Sequence, residues 1–191
     1  IAGAAERAQP LQQTILHGAA ENRIFLAHLA TNCLKHTPPL GFFRNLVVEG
    51  RGEHKDQLDL KHKGSITITD LARLYALANS VSSINTVERL RDLADTGALN
   101  RKDVRNLLDA NEFINTIRLQ HQAQELARGQ QPDNYVAPST LSSLQRSHRV
   151  GVVVEFVFCR ADHRVAFPWH DKHNTFVGSF DVVTTLVQIA G

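Results

Sequence analysis

Apolar residues recur at spacings of three, four or seven positions along much of this chain, and that periodicity predicts α-helices. The first periodic stretch covers residues 11–34, with Pro10 just before its predicted start. Its apolar stripe consists of Leu16, Ala20, Ile24, Ala27 and Leu34. The two prolines of the next segment, "KHTPPLGFF", should end this helix because neither can donate a backbone N–H.

A second helical pattern lies in "SITITDLARLYALANS", residues 65–80. Leu71, Leu74 and Ala78 form its predicted buried face, and Arg73 lies on a different face. The β-branched residues at the start leave a short strand before the helix as an alternative. The charged stretch "LDLKHKG" comes immediately before this helix.

Two further helices are predicted from their end signals. Asn85 can cap the first, with Glu88 reaching back as in a capping box, and Gly97 suits its end. Asn100 and Gly129 play the same parts for the second. At about 1.5 Å per residue, that second helix would span about 40 Å and could form the spine of a bundle.

The composition changes after Arg149, because "VGVVVEFVFC" and the segments beyond it are rich in β-branched and aromatic residues. We therefore predict a mainly α fold, an antiparallel helical bundle over about residues 10–149, followed by a short β-prone tail. The predicted domain boundaries are 1–149 for the helical domain and 150–191 for the tail.

Composition limits the classes of partner. The 42% hydrophobic and 21% charged residues are ordinary for a soluble domain, and a formal charge of +2 is too small to favour nucleic acid. No run of about 18 apolar residues suggests a membrane span. Two cysteines without CxxC spacing indicate a reducing cytoplasm. The start has no signal-peptide pattern and no methionine, so we interpret the chain as a piece of a longer polypeptide.

The stretch "LDLKHKG" is the first candidate binding site. If it is extended, Asp59, Lys61 and Lys63 point to one side, and two ammonium groups there would suit phosphate oxygens. Gly64 would let the backbone turn tightly into the next helix, whose N-terminus also attracts anions. The alternative is a solvated loop with a local Asp–Lys pair, worth under about 1 kcal/mol.

Three arginines are further candidates. Arg73 could reach a phosphate or simply pair with Asp70 on the helix surface. Arg89 lies near a helix N-terminus, where it opposes the macrodipole, which hints at another role. Arg118 and Gln122 lie four positions apart on one helical face, where they could line a cleft or face solvent.

Two other segments allow more than one interpretation. "PPLGFFRN" could expose Phe42, Phe43 and Arg44 to a partner, although burial of both phenylalanines in the bundle is favoured. Asn134 is a good turn former and a candidate clamp between helices. The sequence contains no nucleophile-elbow, P-loop or dinucleotide-binding motif.

Three phrases in order carry a family resemblance: "PPLGFFRNLVVEGRGEHKDQLDLKHKGSITITDLARLYAL", "NTVERLRDL" and "RLQHQAQELARGQQPDNYVAPSTLSSLQRSH". This set resembles the C-terminal, helical substrate-binding domain of bacterial nucleotidyltransferases, over about residues 10–149. Those proteins often carry cyclic-nucleotide-binding and CBS domains upstream. Their organisation is similar to that of the uridylyltransferases that modify the signalling protein PII. The tail departs from the family, which continues with another amphipathic helix.

The resemblance implies a catalytic domain in the same polypeptide, whose Asp-x-Asp pair holds Mg²⁺ against a nucleoside triphosphate. This chain has no such pair, so we expect it to be inactive alone and to bind no metal or cofactor by itself. The implied activity is transfer of a nucleoside monophosphate, with a protein as the leading acceptor. The predicted nucleotide- or substrate-binding residues are Asp59, Lys61, Lys63, Arg73, Arg89 and Arg118.

Two other functions stay open. The domain could be a free-standing regulatory bundle that binds a partner protein or ligand without any transfer. A third interpretation is a metal-dependent enzyme centred on the tail, because imidazole and carboxylate groups bind Zn²⁺. The residues concerned are Asp162, His163, His170, Asp171 and His173.

Overall fold

The computed structural model describes residues 5–33 and 48–142, and this part of the chain is mainly α-helical. It contains α1 (Ala5–Glu21), α2 (Arg23–Cys33), α3 (Ile66–Ala78), α4 (Thr86–Asp95) and α5 (Arg101–Ala127). The predicted mainly α bundle is confirmed. The proposed boundary at Arg149 and the β-prone tail lie outside the described residues.

A very short antiparallel sheet closes one end of the bundle. Strand β1 (Leu58–Asp59) pairs with β2 (Tyr135–Val136), with Leu58 opposite Val136. Both of these side chains are fully buried. The sheet therefore joins the segment before α3 to the segment after α5, which are far apart in sequence.

The core is centred on α3, which packs against α1, α2 and α4. A π-helix (Lys61–Ser65) leads directly into α3, and a 3-10 turn (Pro138–Thr140) follows β2. The largest fully buried side chains are Leu58, Ile68, Leu90, Leu93, Leu107 and Val136. Burial of each leucine or isoleucine contributes roughly 1.5–3 kcal/mol relative to exposure.

The first predicted helix is in fact two helices, because the chain breaks at Asn22. The Asn22 side chain accepts a hydrogen bond from the Phe25 N–H at 2.9 Å, as a helix cap does. The break rotates the apolar stripe, so Leu16 is buried while Ile24 is 64% exposed. Pro10 lies inside α1 and not before it. Leu34 lies outside the described residues.

The buried face of α3 is also shifted from the prediction. Ile68, Ala72 and Tyr75 enter the core with Leu74, whereas Leu71 and Ala78 are only partly buried. The π-helix stands where a short strand was the alternative. The spacing of the apolar residues identified a helix but did not fix which of its two apolar faces is innermost.

The predicted caps Asn85 and Asn100 and the two glycines after α4 and α5 are confirmed, whereas no hydrogen bond from the Glu88 side chain completes a capping box within the described residues. The Asn85 side chain accepts from the N–H groups of Val87 and Glu88, at 2.8 and 3.4 Å. Asn100 accepts from the Lys102 N–H at 2.8 Å. Gly97 and Gly129 follow the two helices with φ of 75° and 72°, values that favour glycine.

Gly64 has a different role from the predicted tight turn. It lies within the π-helix, and its φ is not in the left-handed region. A Cβ added there would lie 3.2 Å from Cγ2 of Ile114. A larger residue there would require the Ile114 side chain to move by a few tenths of an ångström, so glycine allows the close approach of the π-helix to α5.

Candidate functional site

Asp59 is a buried carboxylate that shapes the backbone around it. Its Oδ1 accepts hydrogen bonds from the N–H groups of Lys61 and His62, at 3.1 and 2.9 Å. These bonds turn the chain from β1 into the π-helix. The prediction that Asp59, Lys61 and Lys63 share one side of an extended strand is therefore wrong, because the strand ends at Asp59.

The two lysines of this stretch differ in their surroundings. The Lys63 ammonium forms an ion pair with Glu49, with Nζ 2.5 Å from Oε1, and both side chains are partly buried. Lys61 is exposed, and no ion pair joins its ammonium to any residue in 5–33 or 48–142. Of these two lysines, only Lys61 therefore presents uncompensated positive charge.

His62 is a candidate residue that the sequence reasoning missed. Its Nδ1 lies 2.9 Å from Oδ2 of Asp59, and about half of the side chain is exposed. If the neutral ring carries its proton on Nδ1, this N–H donates a hydrogen bond to Asp59. Nε2 is then left as a hydrogen-bond acceptor towards solvent. The aspartate and histidine three positions apart were the available signal. Such a pair can orient an imidazole for proton transfer or for a hydrogen bond to a ligand.

Tyr135 and His54 form a flat aromatic surface beside this pair. Their ring centroids are 3.6 Å apart and the planes differ by only 4°. The charge of Asp59 raises the pKa of the Tyr135 phenol, with smaller contributions from burial and from the carboxylates of Glu49 and Asp133. The surroundings of Tyr135 are thus mainly acidic, and they do not favour a phosphate.

Arg118 holds together three elements of the structure. Its guanidinium donates to the Asn134 side chain at 2.8 and 3.1 Å, to Ser65 at 2.9 Å and to Asn115 at 3.1 Å. Gln122 also donates to Asn134, at 3.3 Å. Asn134, the candidate clamp between helices, instead holds the segment after α5 against that helix. Arg118 is occupied by internal hydrogen bonds.

Arg73 and Arg89 form a second candidate site at another part of α3. Arg73 is about half exposed, and its Nη1 donates to Asp70 at 2.7 Å. Arg89, on α4, donates from Nε to the Ser83 carbonyl at 2.8 Å. Partial burial and the positive charge of Arg73 lower the pKa of Arg89. The pair therefore carries more positive charge than Asp70 alone compensates.

Cys33 lies at the end of α2, near the same charges. Burial, with a smaller contribution from the negative charge of Asp70, raises the pKa of its thiol to about 11, and the positive charge of Arg73 opposes this shift. The thiolate is the reactive form of cysteine. The raised pKa therefore favours the neutral thiol of Cys33 at physiological pH and lowers its reactivity.

The structure divides the predicted site residues between two places. Asp59, Lys61, Lys63 and Arg118 lie around the π-helix, whereas Arg73 and Arg89 lie on α3 and α4. Arg73 follows Ser65 by eight positions, so the two places are separated by about 12 Å along α3. Phe42, Phe43 and Arg44 lie outside the described residues, as do the tail histidines.

None of the described helices is long and apolar enough to cross a lipid bilayer. Comparison with curated proteins and with solved structures found no match. A family model described as "Putative nucleotidyltransferase substrate binding domain" matches residues 23–148, well over half of the chain. That range includes both candidate sites and every predicted binding residue. The chain belongs to this family of nucleotidyltransferase substrate-binding domains.

Proposed function

We propose that this domain binds the phosphate groups of a nucleotide at Arg73 and Arg89 during nucleotidyl transfer. The observation that carries the proposal is that α3 packs against α4 and brings Arg73 near enough to Arg89 for its charge to lower the pKa of Arg89, while Asp70 is the one carboxylate paired with either arginine among residues 5–33 and 48–142. An anion between the arginines would supply the missing negative charge. Guanidinium groups suit phosphate because their N–H donors match its oxygens in pairs.

The donors needed for such a ligand are available. Within the described residues, Arg89 uses only Nε, and its two terminal nitrogens make no hydrogen bond. Towards the same part of the chain Arg73 donates only from Nη1, so its Nε and Nη2 are equally available. Because Ser83 holds Arg89 and Asp70 holds Arg73, both side chains are oriented before a ligand arrives.

Lys61 is a second point of contact in this proposal, and it offers its exposed ammonium to the acceptor or to a catalytic-domain carboxylate. The roles of the other predicted residues are indirect. Asp59 turns the backbone that carries Lys61 and His62, and Arg118 fixes the π-helix against α5 through Ser65. Lys63 is neutralised by Glu49 and contributes less positive charge to a ligand.

The chemical step belongs to a catalytic domain of the same polypeptide, in the cytoplasm, which would hold Mg²⁺ and the nucleoside triphosphate. This division fits the sequence, because the chain has no Asp-x-Asp pair to hold that metal. Nucleotidyl transfer depends mainly on positioning and on compensation of phosphate charge. A domain without catalytic carboxylates can therefore still control the rate and the choice of acceptor.

The acceptor in this proposal is a protein, and the reaction resembles that of the uridylyltransferases. The resemblance of the ordered phrases supports this choice. The alternative is a regulatory bundle that binds a partner without transfer. Exposed apolar side chains on α1 and α2 favour that alternative, since they could contact a partner: Leu11, Ile15, Ile24 and Phe25.

A deletion experiment separates the two functions. The polypeptide with both domains and a version without this domain would each be supplied with a nucleoside triphosphate labelled at the α-phosphate. All four common nucleotides would be compared, and label in the protein acceptor would be counted. Slow hydrolysis of the nucleotide without acceptor would check that the shortened enzyme is folded and holds its metal.

We expect removal of this domain to abolish transfer to the acceptor while hydrolysis continues. Unchanged transfer, with altered response to a partner or ligand, would support the regulatory bundle and contradict our proposal. Equal labelling from all four nucleotides would show that the domain does not choose the base. In that case phosphate binding would remain its contribution to the nucleotide.

A further inference from the structure

We propose that His121, Glu125 and Asp133 form a binding site for a divalent transition metal, of which Zn²⁺ is the best match. The site is separate from the arginine pair and does not depend on the transfer reaction. His121 and Glu125 lie four positions apart on α5, and therefore on the same face of the helix. Asp133 comes from the segment that leads into β2.

The donor atoms are already spaced as metal ligands are. Nε2 of His121 lies 3.1 Å from Oδ1 of Asp133 and 3.3 Å from Oε1 of Glu125. One donor atom from each of the three residues lies within 4.8 Å of the others. Zinc bonds to nitrogen and oxygen of about 2.0–2.2 Å give distances of roughly 3.3–3.5 Å between neighbouring ligands of a tetrahedron. The two distances from Nε2 of His121, 3.1 Å to Asp133 and 3.3 Å to Glu125, come close to that range.

The hydrogen bonds within the cluster do not compensate the negative charge of its two carboxylates, and a metal ion would. A single ring nitrogen of His121 faces two carboxylate oxygens, and one N–H cannot point well at both. Without a cation, the two carboxylates also repel each other across the imidazole. A divalent ion bound to Nε2 and to both oxygens would remove that repulsion and use all three donors.

Both carboxylates are held in position by further hydrogen bonds. Oε2 of Glu125 accepts from the Asp133 N–H at 2.8 Å, and Oδ1 of Asp133 accepts from the Tyr135 N–H at 2.7 Å. Gln122 donates to the Asp133 carbonyl at 3.0 Å. Supporting bonds of this kind orient metal ligands and raise affinity. Partial burial of the three side chains also limits competition from water.

The donor set indicates the kind of ion. Imidazole suits zinc and other transition metals, whereas Mg²⁺ and Ca²⁺ prefer sites made only of oxygen. Three protein ligands would leave a fourth position open to water or to a ligand oxygen. This proposal replaces the expectation from sequence that the chain alone binds no metal. Asp133 lies twelve positions after His121 and outside α5, so the sequence alone does not bring the three ligands together.

The test is isothermal titration of the full, metal-stripped chain with ZnCl₂, and with MgCl₂ and CaCl₂ for comparison. Four variants would be titrated alongside: His121→Ala, Glu125→Gln, His28→Ala and His170→Ala. Glu125→Gln keeps the size of the side chain and an oxygen for the Asp133 N–H, so it serves if His121→Ala fails to fold. His28 is an exposed histidine on α2 and provides the matched control. A His170→Ala variant separates this site from the histidines of the tail.

We expect one Zn²⁺ per chain at this site, little heat from Mg²⁺ or Ca²⁺, and affinity at least about tenfold weaker in His121→Ala and Glu125→Gln. His28→Ala should match the unmodified chain. Absence of zinc binding would overturn the proposal. So would zinc binding that is unchanged in both α5 variants, or that is lost only in His170→Ala.

Discussion

At the scale of single residues, charge and hydrogen bonding divide the charged stretch before α3 into distinct roles. Asp59 is buried and bonded to the backbone, Lys63 is paired with Glu49, and Lys61 is exposed. Residue type alone could not separate the two lysines, because the difference arises from Glu49, which approaches from an earlier loop. The sequence correctly predicted a helix beyond them. The turn at Asp59, however, prevents Asp59, Lys61 and Lys63 from lying on one side of an extended strand.

Loss of the Arg118 guanidinium should destabilise the fold. We expect Arg118→Ala to lower the free energy of unfolding by about 1–3 kcal/mol, because Asn134 and Ser65 lose a charged donor. Urea unfolding followed by circular dichroism measures this change. Lys61→Ala is the control, and its effect should stay within about 0.5 kcal/mol. Equal effects of the two variants would show that the Arg118 contacts contribute nothing.

The Cys33 thiol should react slowly at neutral pH. With a pKa of about 11 against an ordinary 9.0, its thiolate is roughly a hundredfold scarcer than that of an exposed cysteine. Alkylation by iodoacetamide, measured by mass spectrometry in a Cys159→Ser background, should accelerate as pH rises towards 11. A rate that levels off near pH 9 would contradict the burial of Cys33.

The same shift affects stability in a defined direction. The folded state favours the protonated thiol, so this contribution is fully present below pH 9 and is lost as pH rises towards 11. Cys33→Ser, whose hydroxyl does not ionise in this range, should show a smaller loss of stability over that interval. Thermal unfolding between pH 8 and pH 11 would compare the two chains, and identical pH dependence would contradict the assignment.

At the scale of elements, the ends of helices were more predictable than their buried faces. The Asn85 and Asn100 caps act locally and depend on residues within one turn, so the sequence contains the whole signal. The break at Asn22 was missed because apolar residues continue on both sides of it. The π-helix depends on contact with α5, which lies about fifty residues later.

Removal of the cap on α4 should have a modest, local effect. Asn85→Ala should lower the free energy of unfolding by about 0.5–2 kcal/mol, because the Val87 N–H loses its acceptor. Asn85→Ser restores an acceptor and should recover most of that loss. Chemical denaturation of the three proteins measures the effect, and equal stability of the alanine and serine variants would exclude a capping role.

Two glycines in helices should respond in opposite ways to a larger side chain. Gly18→Ala in α1 should raise stability by about 0.5–1 kcal/mol, since among the described residues no atom beyond its chain neighbours and its own helix backbone lies within 4 Å of the new Cβ. Gly64→Val should lower stability by about 1–3 kcal/mol, because its branched side chain meets Ile114. Thermal unfolding checks both. A stable Gly64→Val would show that the contact with α5 is not close.

At the scale of the whole molecule, the family and the helical class followed from the sequence, while the grouping of the site residues did not. Ordered phrases along the chain are sufficient to identify a family. The placement of Arg73 beside Arg89 requires the packing of α3 against α4, which periodicity leaves undetermined. The His121, Glu125 and Asp133 cluster likewise exists only because the segment that leads into β2 returns to α5.

The most direct test of the central claim is the kinetics of transfer by the two-domain enzyme carrying Arg73→Gln and Arg89→Gln together. The variant Arg101→Gln is the matched control, because Arg101 is exposed and only loosely paired with Asp95, at 3.4 Å. We expect kcat/KM for the nucleoside triphosphate to fall at least about tenfold in the double variant, the loss of roughly 1.4 kcal/mol of interaction with phosphate. The control should be unchanged. Unaltered kcat/KM in a correctly folded double variant would contradict the account.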